Sequence, residues 1–225
     1  MNSETIKKYG IEAGASVVGI AASKDFALAP VGFRPSDNLE GCLSVVVLGA
    51  PFPQEALLKT PAEYTEIRKE IYQKMDGIAK EVSKQIIRKG YKAKAIGGLG
   101  GKYVNSNGRK ELFGHISLKH AAELAGLGVI GRNYLLANSE YGNHLWFSAV
   151  LTDVDLMPDK KAQYTTCNNC NKCVEICSAN ALDNPASFGK KACAGTCFKM
   201  VNGKLLLHCF LCRKVCQNSL NNISL

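Results

Sequence analysis

The sequence predicts an α+β chain in two domains, a larger one over residues 1–157 and a small cysteine-rich one over 158–225. Three observations carry that prediction. Residues 43–48, LSVVVL, are a continuous apolar run of strand length, the kind buried on both faces of a sheet. From Tyr64 an apolar stripe runs at helical spacing for about thirty residues. Nine of the ten cysteines crowd between positions 167 and 216. A chain of 225 residues has room for one domain with a full core and one small one. The small one cannot bury enough apolar surface by itself, so bound metal has to stand in for core there.

Taken in order, residues 3–14 read as an opening helix with Ser3 at its N-cap, and VVGIAA at 17–22 as the strand after it. A loop through Pro30 and Pro35 leads to the apolar run at 43–48, which is expected to be the central strand. Thr60, Pro61, Ala62 and Glu63 form a capping box with proline at the first helical position. Behind it Tyr64, Ile67, Ile71, Met75, Ile78, Val82 and Ile86 recur at gaps of three and four, and Gly90 stops the helix. This stripe is core, Met75 included. A short strand, YKAKAI at 91–96, precedes GGLGG at 97–101. Either a plain turn or backbone that approaches a large flat or phosphate-bearing ligand accounts for that density of glycine.

Residues 117–126 read as a helix between Ser117 and Gly126. The following GLGVIG, Gly126 to Gly131, matches GxGxxG in form only. A dinucleotide fingerprint follows a strand and opens a helix, whereas this one follows a helix. It is read instead as a close-packed glycine turn leading into Arg132 and Asn133. An apolar strand at 144–153 and a linker, MPDKK at 157–161, complete the first domain.

The cysteines decide the chemistry. Cys167, Cys170, Cys173 and Cys177 have the spacing CxxCxxCxxxC, answered by Cys209, Cys212 and Cys216 in CxxCxxxC. A [4Fe-4S] cube takes four thiolates, and in two-cluster proteins of this spacing the fourth cysteine of each run ligates the other cluster. Crossing assigns Cys167, Cys170, Cys173 and Cys216 to one cube and Cys177, Cys209 and Cys212 to the second. Cys193 and Cys197 are the candidates for the missing ligand. Tetrahedral zinc wants two CxxC pairs, and a disulfide framework wants a short secreted chain, whereas this one opens MNSETIKKYG without an apolar signal core. Ser178 and Gln217 replace the proline that usually follows the fourth cysteine, which leaves the reduction potentials open rather than the clusters. Cys42 reads as a small buried residue.

The formal charge of +9 suggests nucleic acid until the clusters are counted. Eight thiolates and two oxidised cores bring the loaded protein to about +5, an excess that suits an acidic electron donor such as reduced ferredoxin or flavodoxin as well as RNA. No apolar run is long enough to span a bilayer and no lipidation box is present, so a soluble, cytoplasmic protein is expected.

AGLGVIGRNYLL at 125–136, the Tyr141-Gly142 turn and SAVLTD at 148–153, followed by the crossed cysteines, resemble the cobalamin-dependent epoxyqueuosine reductases and their relatives, the reductive dehalogenases. SVVVLGAPF at 45–53 and the long helix stand in the matching order. The resemblance implies a nitroreductase-like α+β domain that binds a corrinoid, joined to a bacterial-ferredoxin-like module with two [4Fe-4S] clusters. It implies that electrons pass through the clusters to cobalamin or another corrinoid, with FMN as second choice, and that the cofactor does the hard chemistry. By the same analogy Cys193 is the ligand of the second cube and Cys197 the spare. The cofactor-binding candidates are Gly97, Gly98, Gly100, Gly101, Gly126, Gly128, Gly131, Arg132 and Asn133.

Two departures qualify the resemblance. The family's acidic proton donor falls near Leu112, which cannot donate, so His115 becomes the candidate acid, ahead of Tyr103 and His120. The chain also ends nine residues after Cys216, where tRNA-acting members continue into a helical-repeat domain, so tRNA is not expected as a partner. The sequence therefore supports an iron-sulfur oxidoreductase acting on a substrate it does not identify. The alternative is an electron-transfer protein or reductive activator that serves a partner protein's corrinoid.

Overall fold

The computed structural model describes residues 1–99, 101–106, 109–163, 167–184 and 187–217, with residues 101–106 and 109–113 described by their backbone. The chain divides into two units that interleave along the sequence: Met1–Pro51, Ile71–Leu127 and Trp146–Gln163 in the first, Phe52–Glu70, Gly128–Leu145 and Tyr164–Leu225 in the second.

The first unit is built on a sheet. Helix α1 (Ser3–Glu12) leads to β1 (Val17–Ala22), and after the short α2 (Pro35–Asn38) comes β2 (Ser44–Pro51). Asn2, not Ser3, caps α1: its Oδ1 accepts the Thr5 N–H at 2.9 Å. Helix α3 (Pro61–Arg88) is followed by β3 (Ala93–Ile96), the paired strands β4 (Gly101–Ser106) and β5 (Arg109–Gly114), and α4 (Leu118–Leu124). Strands β6 (Val129–Ile130) and β7 (Leu136–Ala137) precede β8 (Leu145–Thr152). The four-stranded sheet has the order β1-β2-β8-β3, with β1 antiparallel to β2 and β3 antiparallel to β8. The expected central strand is thus internal and buried from Ser44 to Ala50, although Leu43 lies outside it, half exposed.

Side-chain alternation places the helices on this sheet. The bare Cα of Gly10 in α1 packs on Val18 and Leu48, which face each other across β1 and β2. Gly19, pointing the other way, takes the Ala125 carbonyl and Leu127 at the end of α4. α1 and α4 therefore cover opposite faces. Trp146 meets Tyr72 of α3 edge to face at 5.4 Å between ring centres. Of the expected stripe, Tyr64, Ile71, Met75, Ile78, Val82 and Ile86 are buried while Ile67 is half-buried, and Gly90 ends the helix region with φ +88°. The segment expected as a linker is instead tied along β1. Asp159 exchanges backbone and carboxylate hydrogen bonds with Ile20 at 2.8 and 2.9 Å, and its other oxygen meets Lys7 at 2.5 Å.

The second unit holds the beginning of α3, where the capping box forms as expected. The Thr60 N–H and hydroxyl both reach Glu63 Oε2, at 2.9 and 2.7 Å. Besides the paired β6 and β7, its remaining elements are one-turn α5 (Lys172–Glu175), α6 (Lys190–Cys197), the hairpin β9 (Phe198–Val201) and β10 (Lys204–Leu207), and one-turn α7 (Leu211–Lys214). Small antiparallel pairings and short helices give the mixed α+β character that the sequence predicts. Among the described residues no helix is long and apolar enough to cross a membrane.

Candidate functional site

The two cysteine runs adopt the same local form. In each, a loop carrying cysteines enters a one-turn helix, and Cys173 in α5 and Cys212 in α7 each occupy the second helical position. Four residues later Cys177 and Cys216 follow the helix ends, their N–H groups reaching Val174 and Arg213 carbonyls at 3.0 and 3.3 Å. Asn169 and Asn171 take left-handed backbone, φ 56° and 59°, which bends the first loop tightly enough to present its thiols together. α5 and α7 pack on each other.

That packing collects the thiols into two sets. Burial pushes the Cys173 thiol up, and the neighbouring Cys216, Cys167 and Cys170 thiols push it further. Cys212 is pushed up to about 11, by burial first, against the pull of the Arg213 guanidinium, with Cys193, Cys209 and Cys177 adding to the rise. The crossed spacing groups the first of these sets and Cys177, Cys209 and Cys212 of the second, and Cys193 and Cys209 act on Cys197 as well. One recess is lined by all four thiols of the first set together with Gly131, Arg132 and Asn133. Cys197 is buried beside the second set, its thiol held far above the ordinary range by a hydrogen bond with Cys193 and by burial. Among the described residues no three such side chains close on a single metal ion. A cube, which spreads its sulfurs over several irons, does not require that closure.

The second half of AGLGVIGRN lies at this recess. The Arg132 N–H points to Cys167 Sγ at 3.4 Å, and the bare face of Gly131 is 3.7 Å from the same sulfur. Asn133 donates to the Cys212 carbonyl at 3.3 Å while its Oδ1 accepts the Leu135 N–H at 3.1 Å, which ties the turn to the second cysteine run. Arg132 donates through Nη2 to the Asp183 carbonyl at 3.1 Å, and its buried Nη1 has no partner among the described residues. A thiol set with an N–H on one sulfur and an orphaned guanidinium donor beside it fits an anionic iron-sulfur cluster.

Sequence reasoning missed the support behind the second run. Tyr64 stacks on Phe210 with ring centres 3.9 Å apart and planes 5° from parallel, and Phe52 meets Tyr64 edge-on at 5.2 Å. Burial raises the Tyr64 phenol. Arg213, buried between Cys212 and Cys216 in sequence, donates to the Asn143 carbonyl and lies over the Phe52 ring at 5.9 Å. The only signal in the sequence was an arginine inside CxxCRxxC.

The other candidate glycines are occupied by the protein itself. A Cβ on Gly97 would strike the Asp76 carboxylate, which also accepts the Gly98 N–H at 2.7 Å. Gly126, at φ +72°, faces the Lys160 carbonyl, and Gly128, at φ +158°, faces the Ala137 carbonyl. At these positions the missing Cβ lets chain approach chain. Gly101 pairs with Gly114 at the start of β4, and Gly100 lies outside the described residues.

His115 is half-buried, its Nδ1 2.7 Å from Asn38 Oδ1, while Asn38 Nδ2 donates to the His115 carbonyl at 2.8 Å. That reciprocal pair clamps α2. His120 bonds Ser117 Oγ at 2.7 Å, and burial, with Lys119, lowers its pKa. Tyr103 and Leu112 are paired across β4 and β5.

No family model matches the chain. An epoxyqueuosine reductase of Lactococcus garvieae (strain Lg2) is 27% identical over 162 residues, 71% of this chain and 44% of that protein. The chain is similar in sequence to the epoxyqueuosine reductases. Its fold agrees with theirs: an epoxyqueuosine reductase solved with a tRNA-Tyr epoxyqueuosine-modified stem loop superposes with TM-score 0.62 at 17% identity, over 97% of this chain and 65% of that one. A reductive dehalogenase whose structure is described in terms of B12-dependent dehalogenation superposes with TM-score 0.60 at 24% identity, over 80% of this chain and 25% of that one. The chain spans less than half the length of the curated relatives it matches.

Proposed function

We propose that this chain is an iron-sulfur reductase whose second unit holds two [4Fe-4S] clusters, one on Cys167, Cys170, Cys173 and Cys216, the other on Cys177, Cys193, Cys209 and Cys212. The observation that carries the reading is the recess lined together by Cys167, Cys170 and Cys173 of the first run and Cys216 of the second. When bound, the clusters supply one-electron transfer. The residues around them do the rest. The Arg132 N–H steadies Cys167 thiolate, Asn133 joins the glycine turn to the second run, and the Tyr64–Phe210 stack anchors the segment between Cys209 and Cys212.

A corrinoid as the electron acceptor is proposed from the relationship to reductases. Gly97, Gly98 and Gly126, the first-unit candidates whose surroundings are described, face the protein's own atoms, so no step is derived through it. Anaerobic purification with added cobalamin tests this part: retained cobalt with an altered cobalt EPR signal supports it, a bound yellow chromophore favours FMN, and neither overturns it. Epoxyqueuosine-containing tRNA remains the substrate to try first, because a relative is solved with such a stem loop. Stem-loop binding at low salt would reverse the expectation against tRNA, and its absence there removes this substrate.

A second reading is favoured by one observation. His115 is engaged on both its ring and its carbonyl by Asn38, and Leu112 stands where the family carries an acid. A chain without its own acid suits a reductive activator that passes electrons to a partner's corrinoid. Reduction of a small substrate by the isolated chain excludes that role.

A further inference from the structure

The sequence from Asn184 onward contains no aspartate or glutamate, yet it carries Lys190, Lys191, Lys199, Lys204, Arg213 and Lys214. All five lysines are exposed. Within this stretch the β9–β10 hairpin begins directly after Cys197 and ends one residue before Cys209, so it is continuous with the second thiol set at both ends. An Asn202-Gly203 turn, φ 49° and 75°, closes it. Its base is fixed: the Leu207 N–H donates to Thr65 Oγ1 at 2.9 Å, and Arg68 lies over the Phe198 ring at 5.5 Å. Its tip is apolar and uncovered among the described residues. Met200 is 65% and Leu205 55% exposed, and the register sets them directly opposite each other on one face. Val201, 40% exposed, stands opposite Lys204 on the other.

We infer that this hairpin is the docking surface for a small acidic protein that carries one electron, with Met200 and Leu205 as its apolar face and Lys199 and Lys204, on the reverse face, as the steering charge. The inference rests on the cluster reading above. An exposed apolar face backed by a face carrying Lys199 and Lys204 suits a transient interface, and a stretch with lysines and no carboxylate of its own favours an acidic partner. A second copy of this chain is disfavoured because it would set lysine against lysine. Position supplies the rest, since a donor seated here lies beside the chain segments that carry Cys193, Cys197 and Cys209. One electron leaves the donor's reduced iron-sulfur centre and enters the cluster on the second thiol set, and no bond or proton changes place.

The test uses the iron-loaded full chain and a reduced acidic ferredoxin as probe, with cluster reduction followed by stopped flow. Lys199→Glu with Lys204→Glu is expected to slow reduction at low salt roughly tenfold or more and to flatten its salt dependence. Met200→Ser with Leu205→Ser is expected to slow it at all salt concentrations. In both, iron content and reduction by dithionite stay at the wild-type level. Rates within twofold of wild type in both variants, with iron present, overturn the docking surface and leave the cluster reading standing. A wild-type chain that binds no iron after anaerobic reconstitution overturns both. A wild-type dimer that Met200→Ser with Leu205→Ser dissociates would assign the face to a second copy and also overturn the proposal.

Discussion

Arg213 is the residue on which the electrostatics of the second run turn. Its guanidinium is buried, meets the Asn143 carbonyl and the Phe52 ring, and pulls against the burial that raises the Cys212 thiol. Four thiolates around an iron-sulfur core would set net negative charge beside this guanidinium. Reduction adds one further negative charge, so the nearby cation favours the reduced state. Arg213→Gln is therefore expected to lower the midpoint potential of one cluster and leave the other unchanged in an EPR-monitored titration, and Arg213→Lys to recover part of the difference. Equal potentials in all three proteins contradict this account. Cys42 shows the opposite case, a thiol with no cluster to serve. Burial raises it above the ordinary value of 9.0, so its contribution to stability is present below that value and lost as pH rises through the folded one. Urea midpoints of wild type should fall more steeply above about pH 9 than those of Cys42→Ala.

At the scale of elements, the glycine turns are packing devices. Gly126 combines a left-handed backbone with the Lys160 carbonyl against its Cα, so Gly126→Ala should destabilise the first unit by about 2 kcal/mol or more in urea titrations. A neutral result would return Gly126 to the list of open ligand faces. What the sequence disclosed at this scale was local. VVGIAA at 17–22, the Thr60–Glu63 box and the stripe from Tyr64 are each settled by residues a few positions apart. The role of Gly97 needed Asp76 on another element, and the Tyr64–Phe210 stack joins positions far apart in the chain, so neither was legible. The hairpins were missed for a different reason. Asn202-Gly203 closes one of them, and Asn107-Gly108, outside the described residues, lies between the strands of the other. Both dipeptides are hairpin signals in their own right.

For the whole molecule, the proposed crossed ligation would tie the second cysteine run to the residues that open the cysteine region, and iron would take the place of apolar core in the second unit. The charge balance follows from the same fact, because the formal +9 of the bare chain falls to about +5 when both clusters are in place. The most direct test of this account is an iron count with EPR of the reduced protein, made on wild type and on single Cys→Ser variants. Wild type should hold about eight irons per chain. Cys173→Ser and Cys216→Ser should then perturb one EPR component, and Cys177→Ser and Cys212→Ser the other. If Cys173→Ser and Cys177→Ser instead perturb the same component, or the reconstituted wild type holds no more than one cluster, crossed two-cluster ligation is contradicted.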